Sequence, residues 1–376
     1  MFADDPPSTC RMTRKKKCII GTIVSVIIIT AIVLGIYFGI RSNQNNQNNV
    51  DQGPCEGIPG CQVIKSLGSG SFGDVYHVQV SGANPPDAVL KVFKQQQGAP
   101  NGHTMMCELE KGSLLEVARR ERETGRKLQV SHLRQDIAGV QSPRMMTEYF
   151  AGYDLQKPGE FRGKPTSELV QLSLDMMDQI SNHVLEDLHS GGIYHGDIKP
   201  GNIVYDPKAG KFYAIDFGLA VSVSKLQGPD VQYRYFEGGT LVFMSREHLE
   251  IMSRVDGGIP LQNILLNNPS MAKRAEHHSL AVSAITFIGE NCDQPGEPLC
   301  ALGKEVVAKW SQISQADQQE WHNLSHGRKQ MVLRPIWDTV QKKVVDYKRR
   351  RRFYSGQDGR FMKLLADDWK LFPEST

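Results

Sequence analysis

The run Tyr194-His195-Gly196-Asp197-Ile198-Lys199-Pro200-Gly201-Asn202, followed by Ile215-Asp216-Phe217-Gly218, constrains this chain more than any other feature. Two aspartates, a lysine and an amide are crowded among glycine, proline and short apolar stretches. Gly201–Tyr205 and Lys211–Ile215 read as short strands, which leaves the polar groups on the loops that flank them. Any one of these residues could be an ordinary loop group. Their fixed order demands a fold in which loops bring them together.

Upstream, Gly68-Ser69-Gly70-Ser71-Phe72-Gly73-Asp74-Val75-Tyr76 lies between two predicted strands. Glycines permit a tight hairpin whose backbone N–H groups can approach phosphate oxygens. A dinucleotide site would need a helix after the third glycine, and here a strand follows. Lys91 sits in the apolar strand Ala88-Val89-Leu90-Lys91, where its charge costs desolvation unless paired. The expected partners are nucleotide phosphates and a carboxylate on the following helix, Glu110, with Glu108 as the rival.

Phosphoryl transfer needs a positioned nucleophile and neutralised phosphate charge more than covalent help. Asp197 can accept the proton of an incoming hydroxyl, and Lys199 can stabilise the γ-phosphate. Asn202 and Asp216 offer oxygen ligands to a hard cation such as Mg²⁺. The expected cofactors are therefore ATP and Mg²⁺, with Mn²⁺ as the alternative metal.

On these motifs the chain resembles the eukaryotic-type (Hanks-type) Ser/Thr protein kinases from about Gln62 into the C-terminal region, best between Leu67 and Glu247. The resemblance implies an α+β, bilobal fold with a small β-rich N-lobe and a helical C-lobe. It implies catalytic roles for Asp197, Lys199, Lys91 and Glu110, and metal ligation by Asn202 and Asp216. Nucleotide contacts are implied from Gly68, Ser69, Gly70, Ser71, Phe72, Gly73, Val75, Ala88, Lys91, Glu148 and Phe150. Met146–Phe150 resembles the adenine-holding hinge, with Thr147 as gatekeeper. Gly239-Thr240 and Lys199 point to Ser/Thr rather than Tyr as acceptor in a protein substrate.

The chain also departs from that family. The usual His-Arg-Asp is His195-Gly196-Asp197, without the arginine that pairs with a phosphorylated activation loop, so activity is expected without loop phosphorylation. The usual Ala-Pro-Glu is Ser245-Arg246-Glu247, and the aspartate of the large buried C-lobe helix is matched by Glu276, within Glu276–Ile288. The His-Gly-Asp pattern with Asn202 and Ile215-Asp216 is also similar to aminoglycoside-phosphotransferase-like enzymes. A small-molecule or atypical kinase is thus one alternative, and a pseudokinase scaffold is another. A scaffold is expected to lose Lys91, Asp197 or Asp216, and all three are present.

Ahead of the globular pattern, Cys18 to Ile40 carries no charge and is rich in Ile, Val, Leu and Phe. As a helix it would rise roughly 34 Å at about 1.5 Å per residue, enough to cross a bilayer core of about 30 Å. The run is too long for a signal peptide. Arg11, Arg14, Lys15, Lys16 and Lys17 precede it and only Arg41 follows closely, which predicts a cytoplasmic N-terminus and a lumenal or extracytoplasmic kinase domain. An effector inserted in a host membrane, with that domain facing the cytosol, is the alternative. Gly35 and Gly39 form a GxxxG that would let two such helices pair into a homodimer.

The expected organisation is a basic tail (1–17), a membrane helix (18–40), a linker (41–60) whose Asn/Gln-rich start lacks core-forming residues, an N-lobe (61–150) and a C-lobe (151–376). Strands are expected at Gln62–Leu67, Asp74–Val80, Ala88–Phe93 and Arg144–Phe150. Helices are expected at His103–Arg119 and at Ser167–His189, the latter capped by Thr166 or Ser167. The net charge of +3 is too small to imply a nucleic-acid partner. Arg349–Arg352 reads as a solvated basic face. The seven cysteines lack zinc-ligand spacing. The pairs Cys55/Cys61 and Cys292/Cys300 each bracket a Gly/Pro-containing loop suited to a disulfide in an oxidising compartment, with free thiols in a reducing cytosol as the alternative, and Asn323-Leu324-Ser325 has the pattern of a glycan acceptor.

Overall fold

The computed structural model describes residues 53–70, 73–94, 102–137, 143–157, 159–226, 240–294 and 296–371. Residues 53–56 belong to a separate N-terminal unit and form a turn in which Glu56 N donates to Gly53 O at 2.8 Å.

The N-terminal lobe is an antiparallel five-stranded sheet in the order β1-β2-β3-β5-β4. Its strands are β1 (Cys61–Ser69), β2 (Gly73–Val80), β3 (Asp87–Phe93), β4 (Leu133–Ile137) and β5 (Arg144–Glu148). In β3 the register sets Lys91 between Val75 of β2 and Met145 of β5. A strand shows alternate residues on alternate faces, so Val89 and Lys91 share one face and Ala88 and Leu90 the other. Helix α1 (Gly102–Thr124) covers the sheet. Its buried residues Met106, Glu110, Ser113, Leu114 and Val117 recur at helical spacing, so a carboxylate is carried on an otherwise largely apolar stripe.

The C-terminal lobe is helical. It opens with α2 (Thr166–Ile180), which runs through a π-helical stretch (Ser181–Leu185) into α3 (Glu186–Ser190). Short strands follow: β7 (Ile193–Tyr194) pairs with β10 (Val221–Ser222), while β8 (Ile203–Asp206) lies between β6 (Tyr153–Asp154) and β9 (Lys211–Ala214). Then come α4 (Arg246–Asp256), α5 (Leu261–Asn267), α6 (Pro269–Asn291), α7 (Pro298–Ser311), α8 (Gln315–Gln319), α9 (His326–Arg349) and α10 (Gly356–Lys363). Helix α6 is buried on nearly every side from Ala275 to Gly289, as befits a helix at the centre of a lobe. It touches α7 backbone to backbone: a Cβ on Gly289 would lie 2.2 Å from Gly303 C. A disulfide joins Cys292, just past α6, to Cys300 in the first turn of α7, with Cα atoms 5.9 Å apart. Cys61 is also disulfide-bonded.

Several expectations change. The helix at His103–Arg119 runs on to Thr124, and the strand β4 was not foreseen. Neither Thr166 nor Ser167 caps α2. The cap position is Pro165, without a side-chain bond, and Thr166 Oγ1 is buried without a hydrogen-bond partner. The single-pass membrane placement is corrected: among the described residues no helix is long and apolar enough to cross a membrane. Residues 18–40, and with them Gly35 and Gly39, lie outside the described residues, as does Gly239.

Candidate active site

The two lobes enclose a cleft of about 1020 Å³. Its roof is the β1–β2 turn. Gly68, Ser69, Gly70, Gly73 and Val75 line it, whereas Ser71 and Phe72 lie outside the described residues. The turn is closed by Gly70 N donating to Gly73 O at 2.9 Å. Glycine is required at Gly73, where a Cβ would lie 2.5 Å from Val92 O of the neighbouring strand. A Cβ at Gly68 would meet nothing within 4 Å, which leaves that backbone open to the cleft.

Lys91 is the electrostatic centre of the upper half. Its Nζ lies 2.7 Å from Glu110 Oε2 and 2.7 Å from Asp216 Oδ1. Glu110 is therefore the helix carboxylate, 2 % exposed. Glu108 points outward to Lys111 at 2.9 Å. Burial works against the Lys91 ammonium, but the Asp216 and Glu110 carboxylates outweigh it and hold its pKa above the ordinary lysine range. Burial pushes the Glu110 carboxyl up to about 7 despite the opposing pull of Lys91. Burial would raise Asp216 too, yet Lys91 and the Gly218 N–H, 3.3 Å from Oδ1, bring it down to about 2. Asp216 holds a positive φ of 62°, a costly conformation for a non-glycine residue. That backbone turn sits where the carboxylate meets Lys91.

The lower half is built on the loop from His195 to Asn202. Four donors converge on Asp197. Lys199 Nζ (2.6 Å) and Asn202 Nδ2 (3.0 Å) reach Oδ2, while Thr240 N and Thr240 Oγ1, both at 3.0 Å, reach Oδ1. Lys199 Nζ also donates to Thr240 Oγ1 at 2.9 Å. Asn202 is tied to the strand leading to Asp216, because Ile215 N donates to Asn202 O at 2.9 Å. His195 adds a second tie: Nε2 donates to Ile215 O at 3.1 Å, and Nδ1 faces the Asp197 N–H at 3.4 Å.

The loop's shape depends on Gly196. Its φ is +79°, and a Cβ there would lie 2.3 Å from Leu219 O. Its N–H donates to Glu276 Oε1 at 2.7 Å, and the other carboxylate oxygen is 2.6 Å from His189 Nε2. Burial alone would raise Glu276, but His189, His195 and the Gly196 N–H together hold it below its usual value.

The nucleotide-contact set needs one correction. Ala88 is fully buried and does not line the cleft, whereas Val89, on the same face as Lys91, does. Thr147, Glu148 and Phe150 line the hinge side. Sequence reasoning missed Leu67, Val204 and Gln156, which also line the cleft. Strand alternation from Lys91 would have picked out Val89. Nothing in the sequence singles out Gln156.

The donor set suits a hard cation bound with phosphates. Asp216 and Asn202 supply oxygens, and Asn202 uses its Nδ2 toward Asp197, leaving its amide oxygen as the ligand atom. Among the described residues no group of three or more His, Cys, Asp or Glu forms an all-protein cage. Mg²⁺ is ordinarily held by one or two carboxylates plus substrate phosphates and water.

These features define a protein kinase. A family model described as "Protein kinase domain" matches residues 61–273, more than half of the 376 residues, and the chain belongs to that family. It is similar to "Glycogen synthase kinase 1" of Pyricularia oryzae, at 22% identity over 54% of this chain and 50% of the relative. It is also similar to "Probable cell division control protein 7 homolog 2" of Encephalitozoon cuniculi, at 38% identity over 16% of this chain and 17% of that protein. The chain thus spans half or less of the curated relatives it matches.

Proposed function

We propose that the chain transfers the γ-phosphate of ATP, with Mg²⁺, to Ser or Thr hydroxyls of protein substrates. The observation that carries this reading is the convergence of Lys199 on both Asp197 (2.6 Å) and Thr240 (2.9 Å). It places a cation beside the proposed base and ties the substrate-side segment to the catalytic loop. That one relative is named for a protein-directed kinase supports a protein acceptor.

In this reading Asp197 orients the acceptor hydroxyl and takes its proton. Lys199 stabilises charge on the phosphate in flight, and Lys91, fixed by Glu110, holds the other phosphate oxygens. Asp216 and Asn202 would hold the metal. Charge neutralisation on the phosphate oxygens is what Mg²⁺ supplies when bound. Retention of Lys91, Asp197 and Asp216 in one cleft speaks against a scaffold without catalysis.

The test is incubation of purified protein with Mg·ATP and a mixed peptide library, with Asp197→Asn as control. Phosphoserine and phosphothreonine are expected from the wild type alone. Phosphotyrosine alone, or transfer only to sugars or choline, would refute the reading.

A further inference from the structure

His132 lies beside the hinge and between two carboxylates. Its Nδ1 is 2.6 Å from Glu148 Oε2, at the end of β5, and its Nε2 is 2.8 Å from Glu121 Oε1, near the end of α1. An ionised carboxylate only accepts hydrogen bonds, and a neutral imidazole has one N–H to donate. Both contacts are satisfied together when the ring carries two N–H groups and a positive charge. The other polar groups at this junction fit that charge. Leu128 N donates to Glu121 Oε1 at 2.6 Å, Lys127 Nζ reaches Glu148 Oε1 at 3.4 Å, and Glu148 N donates to His132 O at 2.9 Å. The ring is 13% exposed.

We propose that His132 is a positioning residue: as an imidazolium it fastens the end of α1 to the hinge and thereby sets nucleotide affinity. Helix α1 carries Glu110, the partner of Lys91, and Glu148 lines the cleft. One ionic link therefore joins the element that orients the phosphate-binding lysine to the strand that would flank adenine.

The link has a built-in pH dependence. Burial would lower the His132 pKa, but the hydrogen bonds and charges of Glu148 and Glu121 outweigh it and raise it above 6.5. A raised pKa means that the link is complete below the ordinary histidine value and is lost as pH rises through the raised one. Deprotonation leaves Glu121 and Glu148 facing a ring with only one N–H, with Lys127 the remaining cation.

The inference rests on the phosphotransfer reading and is tested apart from it. Affinity for Mg·ADP is measured by calorimetry, and KM for ATP and kcat by turnover, from pH 6 to 9, for the full chain and three variants. In the wild type both affinity measures weaken about fivefold toward high pH, within the usual range of coupling between sites, while kcat at saturating ATP holds. His132→Gln is weak throughout and keeps only the pH dependence that Glu110 contributes. His132→Lys keeps a cation across this range and stays tighter than His132→Gln at every pH, with the same residual dependence from Glu110. Glu121→Gln moves the wild-type inflection to lower pH. A His132→Gln profile that overlays the wild type, or an inflection unmoved by Glu121→Gln, overturns the proposal. Absent turnover with intact ADP profiles would sink the phosphotransfer reading and spare this one.

Discussion

The Glu276 carboxylate reaches out of α6 to take the Gly196 backbone N–H at 2.7 Å, fixing the catalytic loop one residue before Asp197. The loop is thus moored to the buried helix through its backbone at a position where no side chain fits. Gly196→Ala adds a Cβ 2.3 Å from Leu219 O at a positive φ. It should cost about 1–3 kcal/mol from backbone strain alone, and more from the clash. Denaturant unfolding and turnover check this. Unchanged stability would mean that the loop can relax away from Leu219.

Glu276→Gln keeps an oxygen for Gly196 but removes the charge facing His189, whereas Glu276→Ala leaves the Gly196 N–H and the buried His189 ring without this partner. The second should cost roughly 1–3 kcal/mol, the usual range for a buried polar group left without its hydrogen-bond partner, and the first clearly less. Because the Glu276 pKa is lowered in the fold, its contribution is present above the ordinary carboxylate value and lost as pH falls below it. The stability gap between wild type and Glu276→Ala should therefore narrow in acid.

Asp197→Asn should lower kcat by about 10³-fold, within the range for losing a general base, while Mg·ATP affinity stays near wild type. Equal turnover in single-turnover kinetics would remove the role assigned to Asp197.

Glu110 titrates with the opposite sign to Asp216. Its pKa rises to about 7, so in the nucleotide-free protein its contribution is complete below about 4.5 and is lost as pH climbs through about 7. Asp216, lowered to about 2, contributes above about 4 and loses that contribution toward pH 2. Melting curves across pH 5–8 should show the wild type losing more stability with pH than Glu110→Gln. Parallel curves would refute the assignment.

Opening the Cys292–Cys300 disulfide, which closes a short loop, should cost about 2–3 kcal/mol on the chain-entropy view. Thermal melts of Cys292→Ala/Cys300→Ala against the wild type measure it. A loss near zero would mean that the packing of α6 against α7, with Gly289 against Gly303 and Leu299, Leu302 and Val306 buried, holds the two helices without the disulfide.

Most of this site was legible because its chemistry is consecutive in the chain. Asp197, Lys199 and Asn202 fall within one loop, and Asp216 follows a short strand. Glu108 and Glu110 could not be separated by letters, since both sit on α1. Burial separates them, with Glu110 on the stripe of Met106, Leu114 and Val117 and Glu108 facing out. Ala88 is the wrong neighbour of Lys91, because alternation along β3 puts Val89, two residues away, on the face that lines the cleft. β4 escaped notice because Leu133-Arg134-Gln135-Asp136-Ile137 is polar at its centre, and only pairing with β5 holds it extended. His132 carried no local signal, as its meaning comes from residues on two other elements. The Glu276 match was readable from its position, but its bond to Gly196 appears only when the loop and α6 meet.

The Phe150 ring stacks on Tyr213 with centroids 4.0 Å apart, and a Cβ at Gly152 would lie 2.2 Å from Tyr205 O. The segment leaving β5 is thus pinned to the C-terminal lobe almost at once. Tyr149 is held from the other side, its ring stacked on His77 of β2 with centroids 3.8 Å apart. Consecutive rings of one short connection are thus gripped by opposite lobes, so bulk added at Tyr149 would press on β2 at His77 rather than on the residues around Lys91.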